Sequence, residues 1–156
     1  MLDYCDTITI MQSKPYSIKE VTSPLERKAA YELRHMVFVA EQGISAEIEL
    51  DELDQGALHA IVTSSGTIIG TGRLITVSKT TGSIGRMAVD PSFRRQGIGS
   101  LILGFLEHKA RKTNLQEIVL HAQEYVKEFY SYLGYHQEGR PFDEVGIPHC
   151  IMKKTL

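Results

Sequence analysis

Residues 83–111 read SIGRMAVDPSFRRQGIGSLILGFLEHKAR, and the fold turns on this stretch. Ile84 to Val89 is apolar and bounded by turn residues, which predicts a buried strand. Asp90-Pro91 stops it, because proline offers a ladder no N–H and restricts the residue before it. After the turn Arg94-Arg95-Gln96-Gly97-Ile98-Gly99, the residues Ile98, Leu101, Ile102 and Phe105 follow i, i+3, i+4, i+7. That spacing predicts a helix packed on a sheet.

A strand, a turn with glycines and arginines, then a helix can hold phosphate. The first N–H groups of a helix lack intrahelical partners, and its dipole favours an anion there. Gly97 and Gly99 carry no Cβ, so a ligand can approach the backbone. The alternative is an ordinary strand-to-helix turn with two solvated arginines. Two familiar phosphate motifs are excluded. The dinucleotide fingerprint needs glycine where Ile102 stands, and no lysine follows Gly99 as a P-loop requires.

Strand, turn and helix together resemble the acyl-CoA-binding core of the GNAT superfamily of N-acetyltransferases. Its Arg/Gln-x-x-Gly-x-Gly/Ala motif is matched by Arg94, Gly97 and Gly99. The resemblance implies acetyl-CoA as acyl donor. Its pyrophosphate would lie on the backbone of Arg95, Gln96, Gly97, Ile98, Gly99 and Ser100, with charge added by Arg94 and Arg95. Pantetheine and the thioester oxygen would bond the strand end Met87, Ala88, Val89, on a strand that splays after Met87.

The 156 residues suit one domain, 1–156, with residues 1–14 a loose leader. Hydrophobic content of 42% and charged content of 23% are those of a soluble globular protein. No window has the run of about 18 apolar residues that spans a membrane. The N-terminus lacks a basic region followed by an apolar one, so the cytoplasm is expected. Net charge of −2 argues against a dedicated nucleic-acid binder. The six histidines show no metal-ligand spacing, so no metal is implied. Cys5 and Cys150 form no C-x-x-C pair and read as incidental thiols.

In chain order, Tyr16 to Val21 reads as a first strand. Ser23-Pro24-Leu25-Glu26 caps a helix carrying Leu25, Ala29, Leu33 and Val37 on one face and Arg34, Phe38 and Glu41 on another. Leu58–Thr63 and Ile68–Val77 form a hairpin across Ser64-Ser65-Gly66-Thr67. Glu117–Ala122 is a buried strand, Glu124–Leu133 a short helix closed by Gly134, and Tyr135–Glu138 and Ile147–Lys153 the last strands. The order β-α-β-β-β-α-β-α-β-β is a mixed α/β domain, mostly antiparallel with one β-α-β crossover. It is also the order of the GNAT fold.

Three segments resemble a narrower bacterial group, the ElaA/YjcF-like acetyltransferases. They are Arg34-x-x-Val37-Phe38-x-x-Glu41-Gln42 with Glu49-x-Asp51-x-x-Asp54 behind it, His121-Ala122-Gln123, and Gly146-Ile147-Pro148-His149. Pro148-His149-x-x-Met152 is also similar to bacterial enzymes that acetylate glyphosate, in which that histidine is the base.

Acetyl transfer to an amine needs a proton acceptor for the ammonium and a donor for the leaving thiolate. Tyr130 lies at the edge of an apolar helix face with Val126, Phe129 and Leu133, where a tyrosine is ordinarily core. Phe129-Tyr130-x-x-Leu133-Gly134-Tyr135 resembles the family's F-Y-x-x-x-G-F/Y, which implies that Tyr130 is the acid. His149 is the candidate base, with a purely structural strand histidine as the alternative and Glu41 as a second candidate, through water. Arg34, Arg73 and Arg86 can each grip a substrate carboxylate or phosphate, or instead pair with Glu41 or Asp51. The acidic run Glu41–Asp54 can draw in cationic amines or be a solvated loop. The sign of the acceptor's remote group stays open.

The expected activity is acetyl-CoA-dependent acetylation of a small primary amine by direct transfer in a ternary complex. The alternatives are an acyl-CoA-binding sensor and an acetyltransferase of protein amines. A homodimer is expected at the level of the fold alone.

Overall fold

The computed structural model describes residues 15–156. The expected leader, residues 1–14, and Cys5 within it fall outside the described residues. Seven strands form one sheet in the order β1-β2-β3-β4-β5-β7-β6. They are β1 (Tyr16–Glu20), β2 (Leu58–Ser64), β3 (Thr67–Thr76), β4 (Thr81–Val89), β5 (Glu117–Gln123), β6 (His136–Glu144) and β7 (Ile147–Thr155). The helices are α1 (Pro24–Arg34), α2 (Ala46–Glu49), α3 (Ile98–Lys112) and α4 (Lys127–Tyr132). All neighbouring strands run antiparallel except β4 and β5, joined by the crossover through α3.

Helix α1 starts where Ser23 accepts a hydrogen bond from the Glu26 N–H at 3.2 Å and Pro24 needs no donor partner. Its buried face differs from the expected one. Leu25 is 81% exposed, and the buried stripe runs through Ala30, Leu33, Arg34 and Val37. Beyond Arg34 the helix widens into π-helical turns over His35–Glu41, with the Gln42 N–H bonding the Val37 carbonyl. The departure at Leu25 lies before these turns and follows from the α-helix itself, whose 3.6-residue period rotates a strict every-fourth row off the buried face.

Helix α3 buries Ile98, Ile102, Leu103, Leu106 and Ala110 and leaves Leu101 partly exposed. It lies close on β3, because Gly70 and Gly72 are there. A Cβ at these positions would stand 2.7 Å from Ile98 Cγ2 and 2.6 Å from Ile102 Cγ2. The principal core thus sits between α3 and the sheet, continued by Ile118, Leu120, Tyr135 and Met152.

The β6–β7 hairpin is longer than expected, since β6 reaches Glu144 through an irregularity between Glu138 and Phe142. Val145 and Gly146, both at positive φ, turn the chain back and face Glu144 toward β5 and β7 residues. No helix among the described residues is long and apolar enough to cross a membrane.

Candidate active site

The β4–β5 ladder contains three pairs, Thr81 with Glu117, Gly82 with Ile118 and Ser83 with Val119. Beyond Ser83 the strands part, four residues earlier than the expected splay after Met87. From there β5 pairs with β7 and β4 with β3 alone. Met87, Ala88 and Val89 therefore present their β5-facing edge to a cleft of about 1340 Å³.

One wall of the cleft is the start of α3. Gly97 stands at the N-cap with φ 83°, a left-handed conformation that glycine adopts without strain, and no side chain caps the helix. Arg94, Arg95, Gly97, Ile98, Gly99 and Ser100 line the cleft, so the unpartnered first-turn donors face it. Gln96 does not line it; its side-chain oxygen accepts a hydrogen bond from the Tyr16 hydroxyl. Arg94 makes a two-point contact to Glu41, Nη1 to Oε1 at 2.7 Å and Nη2 to Oε2 at 2.6 Å, and its Nε donates to the Val89 carbonyl. Arg94 holds the Glu41 carboxyl below its ordinary range.

Tyr130 stands on the opposite wall, from α4. Its ring meets Phe129 and Tyr135 edge-on, and its hydroxyl lies 3.8 Å from Met87 Sδ, a weak acceptor beside the splayed strand. Burial pushes the phenol up to about 12, so it stays protonated at neutral pH. Gly99 leaves room for this wall: a Cβ there would meet Phe129 Cζ at 3.3 Å.

His149 lies on β7 opposite Gln123 of β5 and is 6% exposed. Its Nδ1 sits 2.7 Å from the Ile147 carbonyl. A carbonyl only accepts, so Nδ1 carries a proton and Nε2 holds the lone pair of the neutral ring. Nε2 is 3.5 Å from Glu144 Oε2, while Glu144 Oε1 is 3.1 Å from His121 Nδ1. Phe142 stacks on His149. Glu144 and His121, both cleft-lining, were not singled out as chemical groups from sequence.

The candidate substrate arginines are already engaged. Arg34 is fully buried and off the cleft, bonding Glu49 through Nε at 2.5 Å and Asp54 through Nη1 at 2.7 Å and Nη2 at 3.0 Å. A substrate cannot reach it, and its expected grip on one is replaced by a structural ion pair. Arg73 Nη1 donates to Asp51 at 2.7 Å and Asp54 at 2.9 Å; Arg86 Nη2 donates to Asp51 at 3.1 Å. Arg73 and Arg86 do line the cleft. Glu41 does not line it, being held by Arg94.

Residues 23–156 match the family model described as the acetyltransferase (GNAT) domain. The chain belongs to the GNAT acetyltransferase family. This GNAT chain is 34% identical over 128 residues to the Bacillus subtilis protein named uncharacterized N-acetyltransferase YjcF, covering 81% of the chain and 91% of that protein. A crystal structure assigned as an N-acetyltransferase from Lactobacillus plantarum superposes with TM-score 0.84 at 33% identity, over 92% of this chain and 99% of that one. A GNAT family acetyltransferase from Elizabethkingia anophelis, solved with acetyl-CoA bound, shares the fold at TM-score 0.72 and 20% identity, over 92% of this chain and all of that one. The mixed sheet with one parallel pair is that of the GNAT fold.

Proposed function

We propose that this GNAT protein moves an acetyl group from acetyl-CoA directly onto a small primary amine, with both substrates bound in the cleft. The observation that carries this reading is the parting of β4 from β5 beyond Ser83, opposite the uncapped start of α3. An exposed strand edge and a set of unpartnered helix donors then face one space, as a long ligand with amide groups and a pyrophosphate requires.

Acetyl-CoA supplies an activated thioester: the amine nitrogen bonds its carbonyl carbon, the carbon–sulfur bond breaks, and CoA leaves as the thiol. The backbone from Arg95 to Ser100 would hold the pyrophosphate, with Arg95 and, once parted from Glu41, Arg94 adding charge. The free edge of Met87–Val89 would hold the pantetheine arm and polarise the carbonyl. Tyr130 would give its hydroxyl proton to the departing sulfur. Its apolar surroundings support that role, since they disfavour a bare thiolate as well as a phenolate. His149 would take the ammonium proton at Nε2, the nitrogen left unprotonated when Nδ1 bonds Ile147.

A covalent acetyl-cysteine route through Cys150 has little support. Cys150 is buried, does not line the cleft, and burial pushes its thiol up, away from the nucleophilic thiolate.

The test follows CoA thiol release from acetyl-CoA across a panel of small primary amines. Release that depends on an amine supports the reading; CoA binding with no release for any amine refutes it.

A further inference from the structure

The acceptor end of the cleft lies past Met87, away from α3. Its walls are Ile75 and Val77 on and beside β3, and Ile44, Ile48 and Leu53 from the segment that follows the π-helical turns. Ile48, Leu53 and Val77 are 52%, 51% and 64% exposed. Such apolar side chains facing one opening mark a surface that covers an apolar ligand. Between them, Gly85 lines the cleft with no atom within 4 Å of where a Cβ would stand.

The charges around this end cancel. Arg34, Arg73 and Arg86 face Glu49, Asp51 and Asp54, three guanidiniums against three carboxylates, and each acid is bonded to at least one arginine. The other acids of the run, Glu41, Glu47 and Glu52, do not line the cleft. The acid-rich segment is therefore not an open anionic funnel. A second ammonium on the acceptor would lose water without meeting an unpaired carboxylate here, and a carboxylate would have to displace Asp51 from two arginines. Among the described residues, the one cleft-lining carboxylate outside this cluster, Glu144, stands beside His149 and His121, where the reacting nitrogen belongs.

Resting on the proposed acetyl transfer, we propose that the acceptor is a primary monoamine with an apolar body, an alkyl- or arylalkylamine, and not a polyamine or an amino acid. The body lies on Ile48, Leu53 and Val77, and the single amine points to His149. Each methylene buried on this wall raises kcat/KM about fourfold.

The test compares ethylamine, butylamine, hexylamine and phenethylamine with spermidine and phenylalanine, in wild type and Leu53→Glu, by CoA release. In parallel, calorimetry measures hexylamine and spermidine binding to the CoA-loaded protein. The proposal expects kcat/KM to rise along the alkyl series and phenethylamine to exceed spermidine and phenylalanine by at least about tenfold. Leu53→Glu, at an exposed position that leaves folding intact, should narrow that gap. Preference for spermidine or phenylalanine, or a flat alkyl series, overturns the inference while leaving acetyl transfer standing. If no amine releases CoA, the acetyl-transfer reading falls, and calorimetry decides the wall: hexylamine binding weakened by Leu53→Glu upholds it, and no preference for hexylamine over spermidine overturns it.

Discussion

Arg94, which lines the cleft, and Glu41, which does not, hold each other through two parallel hydrogen bonds, 2.7 and 2.6 Å long. Arg94 was expected to add charge at the pyrophosphate, and Glu41 was the second candidate base after His149, through water; the pairing restrains both. Glu41 is kept ionised at neutral pH but is capped by a cation, a poor arrangement for accepting a proton from an amine.

Glu41→Gln should therefore keep kcat within about threefold, short of the 10²–10⁴-fold that a general base contributes, and lower the KM for acetyl-CoA by freeing Arg94. Initial-rate kinetics check this; a hundredfold fall in kcat would make Glu41 the base. Because Glu41 titrates below its unfolded value, the pair's stabilisation is present above the ordinary carboxylate range and fades as pH drops through it. Both side chains are 40% exposed, so the loss should stay below about 1 kcal/mol in acid melts.

Tyr130→Phe removes one oxygen and keeps the ring that meets Phe129 and Tyr135. CoA affinity by calorimetry should be unchanged and kcat should fall by roughly 10²-fold. With the phenol pushed up to about 12, wild-type kcat should show no loss from phenol ionisation below about pH 10. Full activity in the phenylalanine variant would remove Tyr130 from the reaction.

His149→Ala should lower kcat/KM by roughly 10²- to 10⁴-fold. Glu144→Gln keeps the shape of the contact to His149 but removes the charge that would steady a protonated ring. A smaller fall than in His149→Ala is expected, since the imidazole itself stays in place. Equal falls in the two variants would instead mean that the carboxylate itself takes the proton. Unchanged kinetics in His149→Ala would leave the histidine a structural one.

Gly97→Ala places a side chain at φ 83°. Left-handed backbone costs a residue with a Cβ about 1–2 kcal/mol. Stability should fall by about that amount in denaturant titration, with a higher KM for acetyl-CoA because the adjoining donors shift.

Asp54 joins Arg34 and Arg73 in a buried cluster. Burial opposes its ionisation, yet hydrogen bonds from Arg34, the Asp51 backbone and Arg73 outweigh this and hold its carboxyl well below the ordinary range. Asp54→Asn leaves buried guanidinium charge unmatched and should cost about 3–5 kcal/mol, or roughly 10 °C in Tm for a chain of this size. With a depressed folded pKa, the ionised Asp54 stabilises the protein above its unfolded value near 4. That contribution is lost as pH falls below it.

Particular residues mark how far the sequence could be read. Gly97, with the strand before it and the helix after it, marked the strand–turn–helix of the family, because the left-handed backbone and uncapped helix start found there leave local signatures. Tyr130 and His149 were placed by short motifs, and both line the cleft. Glu144 and His121 carried no such signature. They meet only because β5, β7 and β6 are neighbours, an adjacency between residues 23 positions apart. The register of α1 also escaped, since a strict spacing of four drifts round a helix of 3.6 residues per turn and carries Leu25 out of the buried stripe of Ala30, Leu33, Arg34 and Val37.

By itself the sequence determined the element order, the family and the strand–turn–helix around Gly97, all set by interactions between near neighbours in the chain. Tertiary structure alone decided which charges are free. Arg34, Arg73 and Arg86 read equally well as substrate grips or as ion-pair partners. Burial settled the matter for Arg34, because a guanidinium cut off from water needs carboxylates around it and the folded acidic segment supplies them.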